Sequence, residues 1–435
     1  RVLVQDSMRR ALLHVDIDCF YVQVEINRDR SIDPARPVAV YQKFLVVTCN
    51  YPARACGVTK LMRTSEARQR CPELVLVSGE DLSPYREASE AAFGALCRWG
   101  PTQKLGLDEF FVDVTREAER MLTAAGGDAA IAWDASTHVH AAGDLTASAE
   151  ALAGASTNMR PMDLRAVSTD AAARAGVSMP CSHTPTQREA RPPDCQGPVE
   201  ALLRAGSHIA SRVRALVLAE SGLTSSAGIA ASKLIAKLSS GLHKPDAQTV
   251  VDAHAAAFLA PLPVRALPGV GSRAEGALRA LGVTTVGGMR RLQGEARANF
   301  IAAVGAGAAR LLQLAAGVDE EAVVQSSAPK SVTVSDSFTG CTSFEQLGAV
   351  LQVLASDLQE RLRADRQANG RAARTLLVRW RHHGSRTMSN PMGSGAGCSV
   401  SRSAAMPCAA ASGVGTNGVR ELINGAMQGA DSSRD

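Results

Sequence analysis

No two cysteines of this 435-residue chain stand at C-x-x-C spacing and no Cys/His cluster has the spacing of a zinc finger, although 10 cysteines and 9 histidines are present. Thiols scattered in this way indicate neither a disulfide framework nor a structural metal site, and they suit a reduced intracellular compartment. Long apolar runs are also missing. None approaches the roughly 18 residues of a membrane span, and no signal peptide opens the chain, so no membrane partner is expected. The first residue is Arg1 where a Met would open a complete chain, which is read as a sign of a fragment. Aromatic residues make up only 4% and charged residues 20%, against 46% hydrophobic, a balance that excludes a chain disordered throughout. What is left is enough for two to four globular units with their own cores. Lysine and arginine (47) outnumber aspartate and glutamate (42), and the net charge of +5 permits a polyanionic partner without requiring one.

The order of local patterns is α+β. "ALLHVDIDCFYVQVEI" from Ala11 starts as a buried strand and turns helical, "RPVAVYQKFLVVTCNY" reads as two strands, and "SEARQRCPELVLVSG" as a short helix and a strand. Residues 82–99 have helical spacing. From about 141 to 195 Ala, Gly, Ser, Thr and Pro dominate, which is insertion or linker chemistry. Helical spacing resumes in "VEALLRAGSHIASRVRALVLAESG", and residues 263–315 form a compact helical unit. The amphipathic "FEQLGAVLQVLASDLQERLRADR" and the strand "ARTLLVRWRHH" follow. Beyond about Gly384 the Gly, Ser and Ala content reads as a disordered tail.

Three groups of residues carry chemistry. In "HVDIDCFY", Asp16 and Asp18 are two apart on a strand and are expected on one face at its carboxyl end. In "KLGLDEFFVDVT", Asp108 and Glu109 stand at the turn between two strands. Converging carboxylates suit hard divalent cations and hence phosphoryl transfer. Either pair alone is more often an ordinary strand end or a decorated turn. In the second group, Tyr51 and Arg54 are three apart at a helix start and Lys237 lies on a helix with an apolar opposite face; together they could grip a triphosphate. Each taken singly is more often a solvated surface residue. In the third, Pro268, Gly269, Val270 and Gly271 make a tight turn whose amides suit a DNA phosphate, the plain alternative being an ordinary helical hairpin.

These motifs, with "SAGIAASKLIAKLSSGLHKP" and "LPGVGSRAEGALRALG", occur in the order found in the Y-family translesion DNA polymerases, and the chain resembles that family over roughly residues 11–140 and 196–383. The resemblance implies a right-hand architecture: palm at 11–41, fingers at 42–100, palm again at 101–140, an insertion at 141–195, the last part of the palm at 196–255, a helical thumb with a helix-hairpin-helix at 256–320, and a little finger at 328–383 that looks incomplete before a tail at 384–435. It implies template-directed addition of dNTPs to a primer by two-metal chemistry, with Mg²⁺ as cofactor and Mn²⁺ able to substitute, during damage bypass in the nucleus. Asp16, Asp108 and Glu109 match the catalytic metal ligands, joined by the backbone carbonyl of Ile17, with Asp18 as a supporting residue. The amides of Cys19 and Phe20, and Tyr51, Arg54 and Lys237, match the triphosphate positions. Tyr21 matches the steric gate against a ribose 2′-hydroxyl. Gln42, Lys43, Leu45 and Val47 match the template-base pocket of one branch of the family, in which that pocket is crowded.

Primer–template DNA is the implied partner, held by Gly269, Val270 and Gly271 and by an arginine-rich segment: Arg361, Arg363, Arg366, Arg371, Arg374, Arg379 and Arg381. No sliding-clamp peptide is seen, so recruitment by a replication clamp rests on no motif. Two other readings are weighed: a DNA-binding scaffold that lost synthesis, and a different nucleotidyl-transferring or cyclising palm enzyme. The intact carboxylates speak against the first and the thumb hairpin against the second.

Overall fold

The structure is a computed structural model and describes residues 9–128, 131–140, 198–251, 255–335, 343–381 and 399–405. The segment read as an insertion, 141–195, lies outside them. The chain divides into two compact units, Arg1–Ser326 and Ser327–Asp435.

In chain order the first unit runs β1 (Leu12–Ile17), α1 (Phe20–Arg28), β2 (Val38–Gln42), β3 (Leu45–Cys49), α2 (Tyr51–Ala55), α3 (Thr64–Arg70), β4 (Val75–Ser78), α4 (Ser83–Leu96), β5 (Thr102–Lys104), β6 (Glu109–Asp113), α5 (Thr115–Ala124) and β7 (Thr137–His140). It continues with α6 (Pro198–Ser221), β8 (Ser225–Ala230), α7 (Lys233–Ser239), β9 (Gln248–Val251), α8 (Ala255–Leu259), a 3₁₀ turn (Val264–Ala266), α9 (Ser272–Ala280), α10 (Val286–Arg290), α11 (Gly294–Val304) and α12 (Ala308–Ala315). Six strands form one sheet in the order β5-β6-β1-β8-β9-β7, and three form a second in the order β3-β2-β4.

The apolar alternation of β1 decides what each face of the large sheet meets. Leu13, Val15 and Ile17 point to a core shared with Phe110 and Val112 of β6, Ala227 and Ile229 of β8, and the inner faces of α4 and α6. Leu12 points the other way, into a core shared with α7 and the helices from α8 to α12. With a period of two, His14 and Asp16 follow Leu12 onto the α7 side. Polar residues in a core strand are costly unless partnered, so their placement there already marks a site.

The stretch 42–100, expected to be one fingers unit, divides between two cores. α2 and α3 pack on the small sheet in a core of Val46 and Cys49 from β3, Ala53 from α2, Ala67 from α3 and Met62 just before α3. The helix α4 instead buries Tyr85, Ala92 and Leu96 in the large-sheet core. A fully buried side chain of that size contributes roughly 1.5–3 kcal/mol, which is enough to fix the helix there.

Gly228 on β8 lets α7 lie directly on the sheet. A Cβ built there would fall 1.9 Å from the Ala236 carbonyl oxygen and 2.5 Å from the Ser240 amide nitrogen. Backbone cannot yield as a side-chain tip can. Gly228→Ala is therefore expected to cost about 1–3 kcal/mol or more, read as a fall in the denaturation midpoint. A variant as stable as the parent would show that α7 is free to lift.

The second unit contains α13 (Phe344–Asn369), started by the Ser343 hydroxyl accepting from the Gln346 amide, then β10 (Thr375–Arg381) and β11 (Ser399–Ala405). These strands pair antiparallel from Thr375↔Ala405 to Arg381↔Ser399. Residues 399–405 were expected in a disordered tail, and that expectation is corrected: "SVSRSAA" has no strong strand pattern of its own and takes its conformation from pairing with the Val- and Trp-containing β10. The rest of 384–435 lies outside the described residues. No described helix is long and apolar enough to cross a membrane.

Candidate active site

β1 and β6 pair antiparallel with Asp16 directly opposite Glu109. Directly opposed residues share a face, so two carboxylates meet at this corner of the sheet. Asp108 precedes β6 in the β5–β6 turn, and its backbone carbonyl accepts from the Ile17 amide at 2.9 Å. Strand register thus holds Asp16 and Glu109, and the bond from the Ile17 amide holds the turn that carries Asp108.

Burial raises the Asp16 carboxyl above its ordinary value; the Lys244 ammonium opposes this and the Glu109 and Asp108 charges add to it. The Asp108 carboxyl is raised as well, first by burial and then by the charge of Glu109. Two ammonium groups already act as stand-in cations here. Lys244 pairs with Asp16, and Lys237 donates to Glu109 at 2.7 Å. Oxygen-only donors that are partly buried, mutually repelling and neutralised by ammonium groups fit a hard divalent cation such as Mg²⁺.

His14 lies beneath Lys237. Its Nδ1 is 2.8 Å from the Ser240 hydroxyl and its Nε2 3.5 Å from Lys237 Nζ. Because that hydroxyl donates to the Lys237 carbonyl, it accepts from Nδ1–H, which leaves Nε2 to accept from the ammonium. Burial, then Lys237 and Lys244, push His14 well below its ordinary value, so the ring is neutral. This Ser240–His14–Lys237–Glu109 chain was not foreseen from the sequence, and neither was Lys244. Its signal was the Lys-Pro turn at the end of "SGLHKP".

Asp18, expected on one face with Asp16, meets the side chain of Ser226, the residue directly opposite Asp16 on β8. Asp18 lies beyond the end of β1, buried, where it accepts from the Ser226 hydroxyl at 2.8 Å and from the Asp246 amide at 2.9 Å. It anchors the turn that carries Lys244. Tyr51 reaches Asp18 at 3.5 Å, and the Arg54 guanidinium lies 4.7 Å from the Tyr51 ring centroid. Asn50 sets both residues: its side chain accepts from the Ala53 amide to start α2 and from the Val38 amide to fasten α2 to β2. Tyr51 is raised by burial and then by Asp18, with Asp16 and Arg54 also within electrostatic reach. Phosphate-type donors and the carboxylate corner are therefore neighbours. Lys237, grouped with Tyr51 and Arg54 from sequence, stands on Glu109.

Cys19 takes a left-handed conformation (φ 44) and begins α1, which no side chain caps. The amides of Cys19 and Phe20 are thus at the uncapped, electropositive end of a helix. Burial pushes the Cys19 thiol up to about 11. Phe20 is in the core, and Tyr21 lies half-buried against Tyr85, ring centroids 4.3 Å apart, close enough to Asp108 to feel its charge.

At the hairpin of the small sheet, Gln42 donates to the Gly79 carbonyl at 2.8 Å and the Lys43 amide donates to Glu80. Leu45 and Val47 lie half-exposed on one face of β3 while Val46 turns inward. Between the 3₁₀ turn and α9, Gly269 has φ 91, Val270 is buried with its carbonyl accepting from Arg265 at 3.0 Å, and Gly271 caps α9. In the second unit, Arg361 is paired with Asp357 and Arg371 with Asp365. Arg379 and Arg381 are two apart on β10, and Arg374 directly precedes it.

The impB/mucB/samB family model matches residues 15–241, that family's HHH motif matches 252–283, and its C-terminal domain matches 329–433, reaching well past the segment read as a partial last domain. Human DNA polymerase iota is 32% identical over 384 residues, covering 87% of this chain and 44% of the relative. DNA polymerase eta of Arabidopsis thaliana is 31% identical over 387 residues (86% and 53%), and DNA polymerase IV of Shewanella sp. strain ANA-3 is 27% identical over 377 residues (85% and 80%). The chain therefore spans less than half the length of the human relative. With the main family model covering more than half of its residues and the motif and C-terminal models following in order, the chain belongs to the impB/mucB/samB family, the Y-family of DNA polymerases.

Proposed function

We propose that this chain is a template-directed DNA polymerase of the error-prone translesion class, which adds dNTPs to a primer 3′-hydroxyl on damaged DNA in the nucleus. The observation that carries the reading is the corner where Asp16 faces Glu109 across β1 and β6 with Asp108 alongside. Asp16, Asp108, Glu109 and the Ile17 carbonyl would hold two Mg²⁺ ions, which when bound acidify the 3′-hydroxyl and neutralise the leaving pyrophosphate.

The remaining roles belong to this chain's own groups. Tyr51 and Arg54 donate to triphosphate oxygens, and the uncapped amides at the start of α1 receive the same phosphates. Lys244, held next to Asp16 by the Asp18-anchored turn, joins Lys237 as a phosphate-side cation. Tyr21 blocks the ribose 2′-hydroxyl. Gly269, Val270 and Gly271 bind the DNA backbone without reading sequence, and Arg374, Arg379 and Arg381 do so from the second unit.

Primer extension on a defined template with Mg²⁺ or Mn²⁺ tests the reading. Template-dependent elongation is expected. Tight DNA binding with no elongation would favour the scaffold, and a cyclic nucleotide product the cyclase. In the same assay Tyr21→Ala is expected to lower discrimination against ribonucleotides about tenfold or more, equivalent to about 1.4 kcal/mol of lost steric exclusion. Unchanged discrimination would place the gate elsewhere.

A further inference from the structure

Cys56 and Cys71 are fifteen positions apart in the sequence, yet each is the residue that ends a helix beside the small sheet. The Cys56 amide donates to the Pro52 carbonyl at 3.2 Å and the Cys71 amide to the Ala67 carbonyl at 2.9 Å, so the main chain at both cysteines is held in place. Glu73 follows two residues later on the exposed side. The two sulfurs and a Glu73 carboxylate oxygen all lie within 4.8 Å of one another. Among the described residues no lysine or arginine forms an ion pair with that carboxylate, and the nearby Arg70 is held by Glu66 and the Gly57 carbonyl.

We propose that Cys56, Cys71 and Glu73 form a binding site for a thiophilic divalent cation of the zinc class. Two thiolates and a carboxylate are three of the four tetrahedral ligands such an ion takes, with water as the fourth. Bonds of about 2.3 Å to sulfur and about 2.0 Å to oxygen set neighbouring ligands roughly 3.4–3.8 Å apart, so from separations within 4.8 Å the site has to close by no more than about 1.4 Å. A half-exposed Cys56 and an exposed Glu73 have that freedom, while Cys71 is buried and stays. Binding sends the two thiol protons to solvent and changes no oxidation state. The sulfur donors separate this site in kind from the carboxylate corner, where hard oxygen donors prefer Mg²⁺. The bound ion ties the end of α2, which carries Tyr51 and Arg54, to the end of α3.

The linear spacing hides the pair. It resembles no zinc motif because two turns of chain geometry, not a short sequence loop, bring the sulfurs together.

Cobalt(II) added to the reduced full chain under a phosphine reductant, with excess Mg²⁺ to occupy the carboxylate corner, is the test. One equivalent is expected to produce a thiolate-to-cobalt charge-transfer band and the intense visible bands of tetrahedral cobalt, and zinc should displace both. Cys56→Ser should abolish the charge-transfer band, and Glu73→Ala should weaken cobalt affinity by about tenfold. Cys56 is half-exposed, so its variant stays interpretable even where Cys71→Ser fails to fold. Absence of the band in the parent protein, or a band of full intensity in Cys56→Ser, overturns the proposal.

Discussion

Asp108→Ala and Glu109→Ala are each expected to slow nucleotide addition by at least about 10³-fold, a loss of roughly 4 kcal/mol of transition-state stabilisation, while the protein stays folded. The separation of activity from stability is what distinguishes a catalytic carboxylate from a structural one. Burial and the Glu109 charge hold the Asp108 carboxyl above its ordinary value. The folded chain therefore binds that proton more tightly than the unfolded chain. Its carboxylate subtracts stability at any pH above the raised value, and the cost disappears as pH falls through it. At neutral pH Asp108→Ala removes that cost, so the melting temperature should hold or rise. Glu109→Ala differs because Lys237 loses its 2.7 Å partner and is left beside neutral His14. A partly exposed pair of this kind is worth little, about 1 kcal/mol or less, so the fold should again survive. Steady-state extension rates and thermal melts on the same preparations decide the matter. Near-parental extension in either variant, or a loss of activity matched by a collapse of the melt, would remove these residues from the chemistry.

The carboxylate corner was legible in the sequence because strand periodicity and the order of motifs were enough to bring Asp16, Asp108 and Glu109 together. Tyr51 and Arg54 were legible for the same local reason: they are three apart in one helical turn. What the sequence did not disclose depends on contacts between distant segments. Period two places Asp18 near Asp16, but it does not disclose that the Asp18 carboxylate is taken up by the Ser226 hydroxyl and the Asp246 amide. Charge and the order of motifs group Lys237 with the phosphate residues, but they do not disclose that α7, seated on Gly228, also sets it against Glu109 and His14. Lys244 is not legible locally, because a lysine before a proline in a turn has no periodicity to betray it. The helix α4 follows the strands of the small sheet in sequence, yet its apolar stripe matches α6, and only packing could assign it to the larger sheet. Residues 399–405 carry almost no strand propensity, so their pairing with β10 could not be read locally.

Single-nucleotide insertion across the four templates is expected to be strongly asymmetric, with accurate insertion of T opposite A and frequent insertion of G opposite T, the two templates differing in fidelity by about 100-fold. Such a ratio needs only about 2.8 kcal/mol of differential transition-state stabilisation. The physical source is a rigid wall. Leu45 and Val47 present side chains on one half-exposed face of β3, Gln42 is tied to the Gly79 carbonyl, and the Lys43 amide is tied to Glu80 at a turn where Lys43 holds φ 53. A turn fastened through two adjacent residues to Gly79 and Glu80 resists retreat from a base placed against it. If the template base lies there, the span left for the nascent pair is shortened. A template purine can then rotate to syn and pair through its Hoogsteen edge, while a template pyrimidine has no such edge to offer. Replacing template A by 7-deaza-adenine removes the N7 acceptor and leaves the Watson–Crick edge intact, so T insertion should fall sharply on that template alone. Phe44, 54% exposed with the Arg63 guanidinium 5.5 Å from its ring centroid, is the neighbouring group able to reshape this wall. Equal error rates on all four templates, or undiminished T insertion opposite the deaza base, would mean that Gln42, Lys43, Leu45 and Val47 merely complete a strand, and the chain would stand as a low-fidelity polymerase with ordinary pairing geometry.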